Sequence, residues 1–375
     1  MILSSLGLLF VLTVHYIASP SDAVSCVDQE GRDVDWWILY KLPKVYKHVK
    51  HMKKRYRKYH KSKRDRLMFE SNLSEGVAYA YLTSSMTDNS WTLSPVSIND
   101  PGSVPGRTLS RLYSGNTQDL VSILYNDEHP HGPTAFSGGH TKGLVLGDEI
   151  SSLWLIHSVP HYPPYPNETY GYPGTGHLYG QSALCISVSS DQLNTIGRQL
   201  TYNAPYLYDT NHVPAWAQQH EDLVNAARGV HVKKAPYFNT EVITTNAGEQ
   251  IISFAKYTKF GKDLYADLVA PSLQVPLLVE TWPNGRGKLP SSCRGPFIVE
   301  NVDEMNFKEI QDDDFMTTHD HSKWAISLDK KKPYVCIGDI NRMDTQFRRG
   351  GGTACISSVS VWRTFKKSVK DIESC

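Results

Sequence analysis

Two segments of the sequence repeat one pattern, and this repeat restricts the possible folds more than any other feature of the chain. Each copy reads His-x-Lys, five residues, Asp, a short loop and a second apolar run. The copies begin at His140 and His321, and their aspartates are Asp148 and Asp329. Two apolar runs joined by a short loop predict a β-hairpin. Two hairpins of one pattern predict a chain built from two similar halves.

The tripeptide His-x-Lys alone carries little information in this chain. It occurs five times, with its histidine at His48, His51, His140, His231 and His321. The residue eight positions later is Asp in two of these copies, and those two open the predicted hairpins. We therefore treat the copies at His48, His51 and His231 as coincidental.

The two selected copies carry residue types that suit phosphodiester chemistry. Residues two apart on a strand point to the same face, so His140 and Lys142 are expected to project together. The same holds for His321 and Lys323. If the hairpins meet about a pseudo-twofold axis, one pocket receives two imidazoles and two ammonium groups. The alternative for each pair is a structural histidine that caps a strand.

In such a pocket, each group has a chemical use. A neutral histidine attacks phosphorus, a protonated histidine gives a proton to the leaving oxygen, and lysines hold the charged phosphoryl oxygens. This chemistry needs no metal ion and no cofactor. The sequence agrees with that expectation, since it has no clustered acidic metal site.

Further residues near the repeats are candidate supports for the site. Asp148 and Asp329 either orient an imidazole or cap the end of a strand. His157 and Asn341 either donate hydrogen bonds to the phosphate or support the site from behind. The glycine-rich run 348–352 either presents backbone N–H groups to a phosphate or forms a surface turn.

The rest of the chain has the pattern of an α/β protein. Short β-rich runs broken by Pro and Gly alternate with helical stretches such as 190–200 and 218–228. The stretch 202–236 is rich in Tyr, Pro and Asn and is the candidate join between the halves. The predicted parts are an N-terminal segment at 1–23, a first half at 24–201 and a second half at 202–375.

The N-terminal segment and the cysteines indicate the secretory route. Met1 to Ala23 holds an apolar run and ends in small residues, as in a cleaved signal peptide; the alternative is an uncleaved anchor. No later segment approaches the roughly 20 apolar residues of a membrane helix, so we expect a soluble mature protein. Six cysteines without a Cys-x-x-Cys pair predict three disulfides. Glycosylation sequons stand at Asn72 and Asn167.

The near-neutral charge of the chain hides one strongly basic segment. Of 39 Lys and Arg and 38 Asp and Glu, twelve basic residues and one acid lie between Lys44 and Arg66, which leaves 27 basic and 37 acidic residues elsewhere. The apolar spacing predicts an amphipathic helix over 44–66 that begins near Pro43. Its basic face is either a solvated surface or a contact with DNA phosphates or an anionic membrane. The predicted DNA contacts are Lys53, Lys54, Arg57 and Lys58.

Five stretches of the sequence form a further pattern when they are taken together. They are Val34-Asp35-Trp36-Trp37 with Tyr40-Lys41-Leu42-Pro43, Gly139-His140-Thr141-Lys142-Gly143, Trp154-Leu155-Ile156-His157-Ser158-Val159-Pro160, Asp320-His321-Ser322-Lys323-Trp324, and Gly338-Asp339-Ile340-Asn341-Arg342 with Arg349-Gly350-Gly351-Gly352-Thr353. With these stretches the chain, from Cys26 to Cys375, resembles the deoxyribonuclease II family, the acid endonucleases of the phospholipase D superfamily. The basic segment is not covered by this resemblance.

The resemblance implies an activity and an architecture. The activity is sequence-independent cleavage of DNA at acid pH without divalent metal, through a phosphohistidine intermediate that leaves 3′-phosphate and 5′-hydroxyl ends. The architecture is two phospholipase D-like halves, each a mixed β-sheet flanked by helices, around one pseudo-twofold site. The implied location is the lysosome, with secretion as the alternative, for a monomer or homodimer. The implied disulfides are Cys26 to Cys185, Cys293 to Cys375 and Cys336 to Cys355.

Two other classes of function compete with a nuclease. A phospholipase of the same superfamily should have an apolar, lipid-accessible rim near the histidines, whereas Gly, Ser and charged residues flank them here. A secreted, toxin-like cationic protein that only binds DNA or membranes would be expected to lose a histidine or lysine of the repeats. All four are present.

Overall fold

The structure is a computed structural model that describes residues 23–45, 63–86, 90–210, 213–307, 310 and 314–375. Two large β-sheets and several short helices occupy these residues, so the fold is mixed α/β, as predicted. The first ten strands are β1 (Cys26–Val27), β2 (Asp33–Val34), β3 (Trp36–Lys41), β4 (Tyr79–Thr83), β5 (Thr92–Leu93), β6 (Val121–Asn126), β7 (Lys142–Gly147), β8 (Ser151–His157), β9 (Gln181–Ser189) and β10 (Leu207–Thr210).

The remaining strands and the α-helices complete the described fold. The later strands are β11 (Phe238–Thr244), β12 (Gln250–Lys256), β13 (Leu277–Thr281), β14 (Val299–Asn306), β15 (Asp314–Met316), β16 (Lys323–Ser327), β17 (Tyr334–Gly338), β18 (Gly351–Ser357) and β19 (Val369–Glu373). The α-helices are α1 (Lys63–Glu75), α2 (Val104–Thr108), α3 (Leu193–Asn203), α4 (Glu221–Ala227), α5 (Ala270–Leu273) and α6 (Val359–Lys367). None of the described helices is both long and apolar enough to cross a membrane.

The two large sheets share one strand order over most of their width. The first has the order β10-β6-β7-β8-β9-β3-β4-β5, and the second has the order β11-β12-β18-β17-β16-β13-β14-β15, with β19 beside β14. When the second sheet is followed from its other edge, its strands β13-β16-β17-β18-β12-β11 occupy the places that β6-β7-β8-β9-β3-β4 occupy in the first sheet. The two repeated sequence patterns form the hairpins β7–β8 and β16–β17, so the prediction of two hairpins is confirmed.

Both hairpins are buried on their two faces, because their strands are apolar almost throughout. The largest hydrophobic cluster joins the two sheets and includes Val145 of β7 and Ile326 of β16. Alternate residues point away from it: Leu144 packs in a second cluster on the other side of the first sheet, and Ala325 packs in a third cluster on the other side of the second sheet. This shared core fixes the position of one hairpin relative to the other.

The three disulfides implied by the resemblance are all present. Cys26 of β1 is bonded to Cys185 of β9, and Cys336 of β17 is bonded to its cross-strand partner Cys355 of β18. Cys293 is bonded to Cys375. The first bridge ties the beginning of the described chain to the first sheet, the second joins two strands within the second sheet, and the third ties Cys375 to the loop that contains Cys293.

The predicted boundaries of two segments need correction. Lys44 and Val45 are not helical: their N–H groups donate to Leu178 O and Leu73 O, at 3.0 and 3.2 Å. The predicted helix therefore does not include Lys44 and Val45, because tertiary hydrogen bonds occupy their N–H groups. The described part of α1 is Lys63–Glu75, and residues 46–62 lie outside the described residues. The boundary at 202 falls within α3, and β10 still belongs to the first sheet.

Some predictions fall outside the described residues. These include most of the predicted signal segment at 1–23 and most of the basic segment at 44–66. The proposed DNA contacts Lys53, Lys54, Arg57 and Lys58 are among them. Both sequons lie within the described residues: Asn72 is half-buried on α1, and Asn167 is exposed.

Candidate active site

Two short backbone crossings join the sheets where β7 and β16 begin. Gly139 forms a parallel bridge with Gly350, and Gly180 forms a parallel bridge with Asp320. The N–H group of His140 donates to Gly350 O, and the N–H group of His321 donates to Gly180 O, both at 2.8 Å. Each histidine is therefore held by the backbone of the opposite sheet.

The imidazole rings are anchored across the sheets in the same way. His140 Nδ1 lies 3.0 Å from Asp339 O, just after β17, and His321 Nδ1 lies 3.0 Å from Ser158 O, just after β8. A carbonyl oxygen accepts hydrogen bonds and cannot donate them, so both Nδ1 atoms carry the hydrogen. In the neutral rings Nε2 then has the free lone pair. Both histidines keep a nucleophilic or basic nitrogen away from their anchors.

The two lysines of the repeats lie in the same site as the histidines but have different partners. Lys142 is ion-paired with Asp127, and Glu128 Oε2 lies 3.5 Å from its Nζ. Lys323 Nζ donates to His321 O at 2.7 Å. Lys323 Nζ also lies 3.3 Å from His321 Nδ1, but this is a close contact, because that nitrogen already donates to Ser158 O.

A carboxylate and a guanidinium complete the site around His140. Asp127 Oδ2 lies 3.9 Å from His140 Nε2 and 3.1 Å from Arg349 Nη2. Arg349 also donates to Gly138 O and Gly139 O, at 2.9 and 2.7 Å, which fixes the segment that leads into His140. These contacts link residues of both sheets around one imidazole.

Burial and positive charge control the protonation of this site. Burial lowers the pKa of both His140 and His321 well below the usual value for imidazole, and the ammonium groups of Lys142 and Lys323 lower it further. Asp127 opposes this effect on His140. Burial and the charge of Lys142 also lower the pKa of Lys323 to about 7. The protonation states of His140, His321 and Lys323 are therefore linked through the charges that these groups share.

The comparisons with known proteins can be set against this geometry. The family model for deoxyribonuclease II matches residues 25–375. The chain is 36% identical to deoxyribonuclease-2-alpha of Rattus norvegicus, over 95% of this chain and 96% of the relative. It is also 36% identical to deoxyribonuclease-2 of Caenorhabditis elegans, over 92% of each, and 33% identical to plancitoxin-1 of Acanthaster planci, over 98% and 96%.

The chain belongs to the deoxyribonuclease II family. It is therefore a nuclease of the deoxyribonuclease II type, and the resemblance seen in the sequence is confirmed. Among the described residues of this family member, no group of three or more His, Cys, Asp or Glu side chains is arranged to hold a metal ion.

The predicted supports of this deoxyribonuclease II-type site have other places in the fold. Asp148 accepts hydrogen bonds from the N–H groups of Ile150 and Ser151, at 3.0 and 2.9 Å. Asp329 accepts one from the N–H group of Lys331 at 2.9 Å. Both carboxylates thus cap the turns of the two hairpins. These contacts fit the capping of a strand end and not the orientation of an imidazole.

His157 and Asn341 are both buried. His157 Nδ1 accepts from the N–H group of Val159 at 3.1 Å, and its Nε2 is buried with no partner in the part of the chain that the structure describes. Burial lowers the pKa of His157 to about 3, so the ring is neutral. Asn341 Oδ1 is also buried and has no hydrogen-bond partner among the described residues. Of the two alternatives for His157, its burial fits a supporting role behind the residues that would contact the phosphate.

Sequence reasoning did not single out Asp127, and it gave no role of their own to the side chains of Asp339 and Arg349, which it named only within longer stretches. Asp339 accepts hydrogen bonds from the Thr141 hydroxyl and, at 2.8 Å, from the N–H group of Gly352. Burial raises the pKa of Asp339 to about 7. The sequence could have indicated Asp339, because it directly follows the second hairpin just as Ser158 directly follows the first. The glycine-rich run after Arg349 supports His140 through Gly350 O rather than offering N–H groups to a phosphate.

Two buried lysines outside the repeats hold the segments that carry these anchors. Lys41, the last residue of β3, donates to His177 O at 2.8 Å, close to the segment that receives His321. Lys256, the last residue of β12, donates to Gln346 O and Arg349 O, at 2.8 and 2.6 Å, close to the segment that receives His140. Strands β3 and β12 occupy corresponding places in the two sheets, so the same support occurs in both.

Proposed function

We propose that this protein hydrolyses DNA phosphodiesters at acid pH, without a divalent metal, with His140 and His321 acting together on one phosphorus atom. The observation that carries the proposal is the crossed anchoring of the two rings. Each Nδ1–H group is fixed on a backbone carbonyl of the opposite sheet, which leaves both Nε2 atoms free for chemistry. The names of the relatives supply the substrate, since they are deoxyribonucleases.

The proposed reaction has two steps with complementary roles for the histidines. In the first, Nε2 of one neutral histidine forms a bond to phosphorus, the bond from phosphorus to O5′ breaks, and the other, protonated histidine gives its proton to O5′. In the second, that histidine takes a proton from water, the water oxygen attacks phosphorus, and the N–P bond breaks. The products are a 3′-phosphate and a 5′-hydroxyl, and both histidines return to their starting states.

The lysines have a supporting role in this proposal. Lys142 and Lys323 place positive charge where the phosphoryl oxygens gain negative charge, and a buried site strengthens that interaction. Lys142 is held by Asp127, so its ammonium is fixed before the substrate arrives. Lys323 is held by His321 O. Because these contacts fix both ammonium groups, little reorganisation is needed during the reaction.

The acid working range follows from the direction of the pKa shifts. One imidazole must be protonated, and free imidazole has a pKa of about 6.5. Burial and the neighbouring lysines lower the pKa of both rings below that value. The proton is therefore retained only at a pH below about 6.5, and activity should fall as the pH rises towards neutrality.

We infer that the molecule consists of two phospholipase D-like halves related by a pseudo-twofold axis. The corresponding strand orders, the two hairpins and the two crossings between the sheets support this architecture. The location proposed is the lysosome, reached by the secretory route, with secretion as the alternative. Three disulfides and an exposed sequon at Asn167 fit an oxidising compartment.

The proposal is tested by incubating supercoiled plasmid with the protein in excess EDTA from about pH 4 to about pH 8. We expect nicking and cutting at acid pH in EDTA, little activity above neutrality, and fragments that carry 3′-phosphate and 5′-hydroxyl ends. Dependence on magnesium or calcium with an alkaline optimum, or fragments with 5′-phosphate ends, would contradict it.

A further inference from the structure

The two histidines have different neighbours, although their anchors correspond. Lys142 pairs with Asn126 across the sheet, and Lys323 pairs with Thr281. Asp127 and Trp282 follow directly after those partners, so they occupy corresponding positions. His140 therefore lies beside a carboxylate, whereas the ring centroid of His321 lies 5.2 Å from that of Trp282, at an interplanar angle of 64°.

A second aromatic ring extends this surface. Tyr179 immediately precedes Gly180, whose carbonyl oxygen receives the N–H group of His321. Its ring centroid lies 4.5 Å from that of Trp282, at an interplanar angle of 69°. Tyr179 and Trp282 are both partly exposed, so the two rings form an edge-to-face aromatic pair beside His321.

The indole of Trp282 is not tied into the fold by a hydrogen bond. The other tryptophans either donate their indole N–H group, as Trp216 does to Asp119 O at 3.0 Å, or are fully buried, as Trp324 is. Within the described part of the chain, Trp282 is partly exposed and its indole N–H group has no partner. Large aromatic side chains with one exposed face suit contact with another flat ring.

We propose that Trp282 and Tyr179 form a binding subsite for one nucleobase of the DNA strand, the base of a nucleotide next to the scissile phosphate. The inference rests on the proposed function, because it places the phosphate between His140 and His321. Every base has an aromatic face, so stacking on Trp282 is tolerant of sequence. The subsite requires that this base leaves the helical stack of the DNA, and single strands should therefore be accepted as substrates.

The test uses a single-stranded 20-residue oligonucleotide with or without one abasic residue, and cleavage is quantified at each linkage. In the wild-type protein, kcat/KM at one of the two linkages that flank the abasic residue should fall by about tenfold, the size expected for the loss of one stacked base. In the Trp282→Leu variant, intact and abasic oligonucleotides should be cut equally at that linkage. Trp216→Leu is the matched control and should behave as wild type does.

The outcomes separate the subsite from the nuclease itself. If the wild-type protein cuts intact and abasic oligonucleotides equally at every linkage, or cuts duplex DNA but not single strands, the subsite is disproved while the nuclease activity stands. If the effect of the abasic residue persists in Trp282→Leu, the base binds elsewhere. A merely structural role of Trp282 would slow both oligonucleotides by the same factor. If the protein cuts no DNA, the proposed function itself fails.

Discussion

At the scale of single residues, the account depends on two histidines that act as a unit. We expect His140→Ala and His321→Ala each to reduce kcat by at least about 100-fold, since each removes a group that forms or breaks a bond in the first step. The double variant should be scarcely slower than either single variant, because residues that act together are not additive. Steady-state cleavage of plasmid measures this.

The control for these variants is His231→Ala. His231 begins a His-x-Lys tripeptide, but its ring is paired with that of Tyr257, at 6.2 Å between centroids, and not with a residue of the two crossings. This variant should cleave DNA at the wild-type rate. If His231→Ala lowered kcat as much as His140→Ala does, the choice of two among the five His-x-Lys tripeptides would be wrong.

Asp127 offers a test of how the pH range is set. Its negative charge raises the pKa of His140 against the effects of burial and Lys142. Asp127→Asn removes that charge, so the pKa of His140 falls and less of the ring is protonated at a given pH. We expect the profile of kcat/KM against pH to move to lower pH by on the order of one unit.

The matched control for the pH profile is Asp222→Asn. Asp222 is ion-paired with Arg198 at 2.8 Å and does not contact the site. Its profile should coincide with that of the wild type. A movement of the Asp127→Asn profile to higher pH, or no movement, would show that Asp127 does not act on the proton of His140.

At the scale of elements, the repeated aspartates are expected to stabilise the hairpins and to leave the chemistry alone. Asp148→Ala removes hydrogen bonds to the turn of the β7–β8 hairpin and the ion pair with Arg111. We expect the free energy of unfolding to fall by about 1 to 2 kcal/mol. The value of kcat should stay within about twofold of wild type, because the turn lies away from the histidines. Urea unfolding and plasmid cleavage measure the two quantities, and a 100-fold loss of kcat with unchanged stability would contradict this role.

The hairpins could be predicted from the sequence, and the reason is physical. An Asp at the end of an apolar strand favours a turn. A His-x-Lys tripeptide followed by such an Asp therefore indicated the first strand of a hairpin. The pattern selected His140 and His321 because each precedes the first strand of a hairpin. The aspartates cap the hairpin turns and are not part of the site. Local periodicity also gave the α/β class and the approximate position of α3.

The remainder of the site depends on contacts between distant parts of the chain. Asp127 reaches Arg349 across 222 positions in the sequence, and Thr141 reaches Asp339 across 198. No local pattern encodes such pairs, because they arise from the packing of one sheet on the other. The same reason explains why the predicted helix does not include Lys44 and Val45, whose N–H groups donate to Leu178 O and Leu73 O.

At the scale of the whole molecule, the basic segment is expected to supply affinity for DNA. Outside 44–66 the chain has an excess of acidic residues, which repels a polyanion. Replacing Lys53, Lys54, Arg57 and Lys58 by Gln should lower the slope of log affinity against log salt by up to roughly 3 or 4, at about 0.9 for each phosphate contact. The value of kcat at saturating DNA should not change.

A membrane is the alternative partner of the basic segment. Clusters of basic residues also bind anionic lipid surfaces. The same fourfold variant should therefore be tested on phosphatidylserine vesicles. An unchanged salt slope for DNA together with lost vesicle binding would assign the segment to a membrane and remove it from the account of DNA binding.

The central claim is that the two sheets supply one histidine each to a single phosphodiester. It is tested most directly by stopping the reaction with alkali, digesting the protein and locating phosphorus-bearing histidines by mass spectrometry. We predict one adduct, on either His140 or His321, that disappears when that histidine is replaced by Asn and persists when the other is replaced. The absence of any adduct during active cleavage, or an adduct on a third residue, would contradict the claim.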